Sequence, residues 1–181
     1  MKIARDCLTG MLVFGLLSAG CALRSPLHPE AVRLNRLGAS SLAAGRLEKA
    51  RVALELSLEY NPCHAEALHN LATVAYLRGE LDQAEAMERR SLGCGELVQA
   101  VNGLGAVAAR RGRDAEALSH FARAVQLDPG YLDARRNLIA TAIRERDWDL
   151  AREQLQRLLL LAPGDPAAAR LSAALPPEGR P

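Results

Sequence analysis

Four cysteines and four histidines are the side chains of this sequence with the widest chemical reach. A thiolate can accept a lipid, close a disulfide or ligate a metal, and an imidazole can move a proton or bind that same metal. Cys63, His64, His69 and Cys94 are the obvious set for a metal, yet no CxxC or HxxxH spacing joins them. Gly103-Leu104-Gly105 echoes a dinucleotide fingerprint, but no strand pattern precedes it. No nucleophile–base pair or paired acid falls at helical spacing. The sequence therefore assigns no catalytic residue, no metal and no cofactor.

Cys21 stands apart because of what precedes it. From Cys7 to Leu23 the chain carries no charged side chain, after a start that contains Lys2 and Arg5. Thr9, Gly10, Gly15, Ser18 and Gly20 dilute this run, which is shorter than the roughly 20 apolar residues of a spanning helix. A basic start, a short apolar run and small residues before a cut describe an export signal. Ser18-Ala19-Gly20-Cys21 resembles the bacterial lipobox, with Leu17 one place before its usual position. The resemblance implies a signal peptide over residues 1–20, fatty acylation of Cys21, and a lipidated linker over 21–30. Ala22 after the cysteine implies sorting to the outer membrane of a bacterial envelope, facing the periplasm. Each buried methylene contributes about 0.8 kcal/mol, so two or three acyl chains hold firmly.

What remains is one domain's worth of chain, with 21 basic against 20 acidic side chains once Lys2, Arg5 and Asp6 are removed. That balance excludes bulk nucleic-acid binding. Alanine and leucine dominate and aromatics make up only 3%, which is a helical composition.

Self-similarity organises the helices. GRLEKARVALELSLEYNP from Gly45, GELDQAEAMERRSLGCG from Gly79, GRDAEALSHFARAVQLDP from Gly112 and RDWDLAREQLQRLLLLAP from Arg146 align with one another. Their shared alanines, Ala50, Ala84, Ala117 and Ala151, are spaced 34, 33 and 34 residues apart. The pattern resembles the tetratricopeptide repeat, a helix–turn–helix of 34 residues. The resemblance implies an all-α, right-handed superhelical solenoid of four hairpins over 31–165, divided as 31–64, 65–97, 98–131 and 132–165. A short capping helix over 166–175 and a disordered tail over 176–181 complete the expectation.

The apolar pattern implies the same packing. Leu34, Leu37, Leu68, Leu71, Val101, Leu104 and Leu138 form an apolar stripe on the first helices. Gly38, Ala72, Gly105 and Ile139 follow at the position where two helices approach. Gly45, Gly79 and Gly112 suit turns with positive φ. Leu54, Phe121 and Leu155 are expected between the paired helices, and Trp148 in the core. No single hairpin buries its own apolar faces, so neighbours must stack.

Within such a repeat, Cys63 and Cys94 fall at adjoining ends of antiparallel helices. They are either a disulfide formed in an oxidising compartment or two separate thiols. In the repeat family the first helices line a concave groove that binds an extended peptide or a partner helix. Matching positions are Asn35, His69, Asn70, Thr73, Asn102, Arg110, Arg136, Asn137 and Arg144. Arg110, Arg136 and Arg144 make the far end basic, suited to a carboxylate or an acidic segment. The same residues also suit a merely solvated face.

The resemblance extends to pilotin-type lipoproteins of type IV pili, which help an outer-membrane secretin assemble. It implies a membrane-anchored, non-enzymatic adaptor whose partner is a protein or peptide, not a nucleic acid or a small-molecule substrate. The alternative is a periplasmic enzyme or metal-binding factor on the same fold.

Overall fold

The structure is a computed structural model and describes residues 28–177. The signal segment, the lipobox with Cys21, most of the linker and residues 178–181 lie outside the described residues. Among the described residues there are nine helices and no strand: α1 (Pro29–Ala43), α2 (Leu47–Tyr60), α3 (Ala65–Arg78), α4 (Leu81–Cys94), α5 (Val98–Arg110), α6 (Asp114–Leu127), α7 (Leu132–Arg144), α8 (Trp148–Leu161) and α9 (Pro166–Ala173). No described helix is long and apolar enough to cross a membrane.

Each odd helix packs on the even helix that follows it, and each even helix on the next odd one. The odd helices also touch one another in succession, whereas no even helix touches the next even helix. The stack is therefore tight along its odd face and splayed along its even face, which makes the odd face concave. The helix α9 packs against α7 and α8 and ends the stack. It finishes at Ala173, short of the expected 175, and Leu171 and Leu175 close over the last core cluster.

Small residues make this packing possible. Ala50, Ala84, Ala117 and Ala151 are each no more than 1% exposed, which lets the paired helices meet backbone to backbone. Leu54 and Phe121 fill the remaining space and press on Gly38 and Gly105. A Cβ at Gly38 would lie 2.5 Å from Leu54 Cγ, and one at Gly105 would lie 2.5 Å from Phe121 Cε1. Serine hydroxyls lock two hairpin bases. Ser57 Oγ donates to the Ala31 carbonyl at 2.7 Å, and Ser91 Oγ donates to the Ala65 carbonyl at 2.8 Å.

The hairpin turns have positive φ at Gly45, Gly79 and Gly112, and Arg146 takes the same conformation at φ 60° in the last turn. Asp147 and Asp165 cap α8 and α9 by accepting from Leu150 N and Ala167 N.

Two expectations need correction, and one buried charge was not foreseen. Trp148 is half-buried: it opens α8 at the helix end, like its partly buried counterparts Leu47 and Leu81. Leu37 is exposed, leaving the stripe to Leu34. In the last hairpin Arg135 occupies the slot of Leu34, Leu68 and Val101 and is buried. It donates to Gln154 Oε1 at 2.6 Å and to the Pro129 carbonyl at 2.8 Å, and burial lowers its pKa.

Candidate functional site

The concave face is built from α1, α3, α5 and α7, so a residue reaches it only from an odd helix or by passing between two of them. Asn35 lies on α1, His69, Asn70 and Thr73 on α3, Asn102 and Arg110 on α5, and Arg136, Asn137 and Arg144 on α7. The structure brings most of them together as cross-links between repeats. Asn70 Nδ2 donates to Asn35 Oδ1 at 2.9 Å, and Asn137 Nδ2 donates to Asn102 Oδ1 at 3.0 Å. Both pairs are 35 residues apart and both join one odd helix to the next.

By the same register the middle cross-link would pair His69 with residue 103, which is glycine. Glu88 of α4 enters that space instead. Its carboxylate is bound by His69 Nδ1 at 3.0 and 3.1 Å. The fourth position is held by Arg136, which pairs with Asp165 at the start of α9 and with Asp133. The groove floor thus carries four polar rungs in order: Asn35–Asn70, His69–Glu88, Asn102–Asn137 and Arg136–Asp165.

Glu88 is the residue that sequence reasoning missed. It is only 2% exposed, and burial raises its pKa while His69 pulls the other way by hydrogen bond and charge. Its signal was its register, since Glu88 aligns with Leu54, Phe121 and Leu155.

Two adjoining cavities open between the rungs. One of about 240 Å³ is lined by His69, Glu88, Asn102, Tyr76 and Tyr131, with Ala72, Ala106 and Val107 as its apolar wall. The Tyr131 pKa is raised by burial and then by the charges of Asp133 and Glu88, against a smaller opposing pull from Asn102. The other, of about 340 Å³, lies between α5 and α7 and is lined by Ala106, Ala109, Ala140, Phe121 and Asn137. Tyr76 and Ala106 belong to both, so the two form one trough.

The basic end expected of this groove is largely neutralised. Arg136 is engaged by Asp165 and Asp133, and it holds the Asp165 carboxyl below the usual range. Arg144 pairs with Asp114. Arg110 donates to the Tyr76 carbonyl with its guanidinium 4.9 Å from that ring's centroid. The physical reason is that each arginine finds a partner on a neighbouring helix. Thr73 and Thr141 likewise donate back to carbonyls of their own helices, those of His69 and Asn137.

Cys63, in the turn before α3, and Cys94, the last residue of α4, form a disulfide with their α-carbons 5.2 Å apart. Among the described residues no group of three or more His, Cys, Asp or Glu side chains is placed to hold a metal ion.

Two family models described as the tetratricopeptide repeat match residues 64–96 and 108–175, together more than half of the chain. No curated protein sequence matches it. Among solved structures, YrrB, a tetratricopeptide-repeat protein with an unusual peptide-binding site, is 22% identical with a TM-score of 0.60, over 79% of this chain and 76% of that one. PilF of Pseudomonas aeruginosa is 26% identical with a TM-score of 0.74, over 80% of this chain and 66% of that one. The Cut9–Hcn1 hetero-tetramer of the APC/C gives a TM-score of 0.73 at 16% identity, over 81% of this chain but only 30% of that one. The YrrB and Cut9–Hcn1 likenesses speak for the fold alone.

Proposed function

The chain belongs to the tetratricopeptide-repeat family, and from that premise we propose that it is a membrane-tethered adaptor holding an extended segment of a partner protein in its concave groove. One observation carries this reading: the trough of two adjoining cavities is floored by alanines and edged by amides that still have hydrogen-bonding capacity. Asn137, which lines the trough, spends one amide hydrogen on Asn102. Its second hydrogen and its carbonyl oxygen remain for a peptide backbone, and Asn70, bonded in the same way to Asn35, repeats the arrangement on α3. The alanine floor admits side chains without requiring any wall to move.

The tether is Cys21. Ser18-Ala19-Gly20-Cys21 supports acylation there and a bacterial envelope location, with the outer membrane favoured by Ala22. The sequence resemblance to pilotin-type lipoproteins supports a place in the assembly of an envelope complex such as a pilus secretin, and the likeness to PilF of Pseudomonas aeruginosa is in keeping with it. At about 3.1 Å per residue, a linker over 21–30 would, if extended, start the solenoid within roughly 30 Å of the bilayer surface.

The test uses the full chain in cells. A photo-crosslinking amino acid at Ala106 or Ala140, inside the trough, is expected to trap a partner in the membrane fraction. The same group at Val52 or Leu56, exposed residues of α2, is expected to trap none. Equal crosslinking from both faces would overturn the groove reading. Intact mass and fractionation of Cys21→Ser beside the native chain test the tether separately. An unchanged mass and location would remove it.

A further inference from the structure

We propose that the cavity between α3 and α5 is a subsite for one basic side chain, lysine or arginine, of the bound segment, with the Glu88 carboxylate as its counter-charge. This rests on the groove reading above and adds to it the chemistry of the ligand.

A carboxylate has about four lone-pair directions, and the protein supplies Glu88 with a single N–H, that of His69, shared between its two oxygens. A side chain 2% exposed has little water to make up the difference. Burying a carboxylate so under-supplied is costly. A hydrophobe in its place, as at Leu54 or Leu155, would pack the hairpin without that cost.

The surroundings select the donor. This end of the trough, a cavity of about 240 Å³, has room for one long side chain. Its wall of Ala72, Ala106 and Val107 receives an aliphatic stem, while Tyr76 and Tyr131 offer rings beside it. Lysine and arginine have this two-part character, an apolar stem ending in a cation. An acidic side chain is rejected there, because it would stand against Glu88. At the other end of the trough Arg144 is paired with Asp114 and Arg110 is held by the Tyr76 carbonyl and ring, whereas the α3–α5 cavity is lined by no cation other than the His69 ring and its charged group is the Glu88 carboxylate.

A phage-displayed library of random dodecapeptides selected against the folded chain tests this. Enrichment of lysine or arginine at one position is expected, and Glu88→Gln should weaken those peptides about ten- to a hundredfold. Counterparts with norleucine at that position should bind both proteins equally. Glu88→Leu, which restores the side-chain type of the aligned slots, supplies a second folded variant that must show the same loss. Selected peptides without a preferred basic position, or with a preference untouched by Glu88→Gln, would overturn the subsite and leave the groove standing. Failure to select any peptide would overturn both. Nα-acetyl-lysine methylamide reads the cavity directly: it is expected to shift the His69 ring resonances saturably, and the norleucine analogue to leave them in place. Equal response to both would also overturn the proposal.

Discussion

Glu88 lies so close to the backbone of Gly103 that a Cβ at that glycine would be 2.0 Å from Oε1 and 2.5 Å from Cδ. The middle rung of the groove therefore depends on a missing side chain on one helix and a displaced carboxylate from another. Gly103→Ala is expected to lower stability by about 1 kcal/mol, as overpacking of about 1–3 kcal/mol outweighs the helix gain of about 1 kcal/mol. In a Glu88→Ala background the same change should stabilise, since the three atoms nearest that Cβ all belong to the Glu88 side chain. Thermal melts of the four proteins give the coupling. Additive effects would mean that the contact is not tight.

Glu88 also gives the fold a pH term. Burial raises its folded pKa above the unfolded value, against the pull of His69. Its contribution to stability is thus fully present below the ordinary 4.5 and is lost as pH rises through the folded value. Glu88→Gln should remove that slope from a stability–pH profile. An unchanged slope would show that the carboxyl is better solvated than its burial implies.

His64 works in the opposite sense. It is 2% exposed, and its Nδ1 lies 3.2 Å from Ser57 Oγ, which gives its own proton to Ala31 O. Burial lowers the His64 pKa, outweighing the attraction of Glu66. Its contribution is present above pH 6.5 and is lost as pH falls through the folded value. His64→Asn keeps an N–H for Ser57 and removes the titration. Melting temperature measured from pH 7.5 to 5 should fall less for the variant than for the native chain. Equal falls would assign the acid sensitivity elsewhere.

Arg146 adopts a left-handed conformation at φ 60°, where the other three turns have glycine. A β-carbon in that region costs about 1–2 kcal/mol, and glycine costs about 0.4–1 kcal/mol through the unfolded chain. Arg146→Gly should therefore stabilise by about 0.5–1 kcal/mol, read as a higher denaturant midpoint with an unchanged slope. A lower midpoint would mean that the arginine side chain contributes more than its backbone costs.

The disulfide closes a loop spanning 31 positions of sequence separation. Chain-entropy reasoning gives about 3.5 kcal/mol for a loop of that length. Cys63→Ser with Cys94→Ser should lose about that much, and reducing agent should have the same effect on the native chain and none on the double variant. A double variant as stable as the oxidised protein would mean that the unfolded chain is already compact there.

Much of this architecture was legible in the sequence because repeats report packing. A shared alanine recurring at 34, 33 and 34 residues marks the helix–helix contact, and glycines at Gly45, Gly79 and Gly112 mark the turns. The groove was legible only as a set of positions. The pairing of Asn35 with Asn70, and of Arg144 with Asp114, depends on how closely neighbouring repeats bring their helices, which the sequence of a single repeat does not state. Glu88 was visible as a carboxylate in a core slot, but its meaning required seeing Gly103 opposite. Trp148 was misplaced because its slot lies at a helix end, where size does not ensure burial.

Because Cys63 and Cys94 join one end of the α3–α4 hairpin and the Gly79 turn joins the other, that hairpin is a closed covalent ring. A pull applied along the chain passes from α2 to α5 through the sulfur–sulfur bond and bypasses the helices between. With the disulfide intact, the residues inside the ring cannot lengthen the chain under load, withholding about 100 Å of contour at about 3.4 Å per residue. The segment that carries His69 and Glu88 is thus shielded from mechanical load transmitted along the rest of the chain.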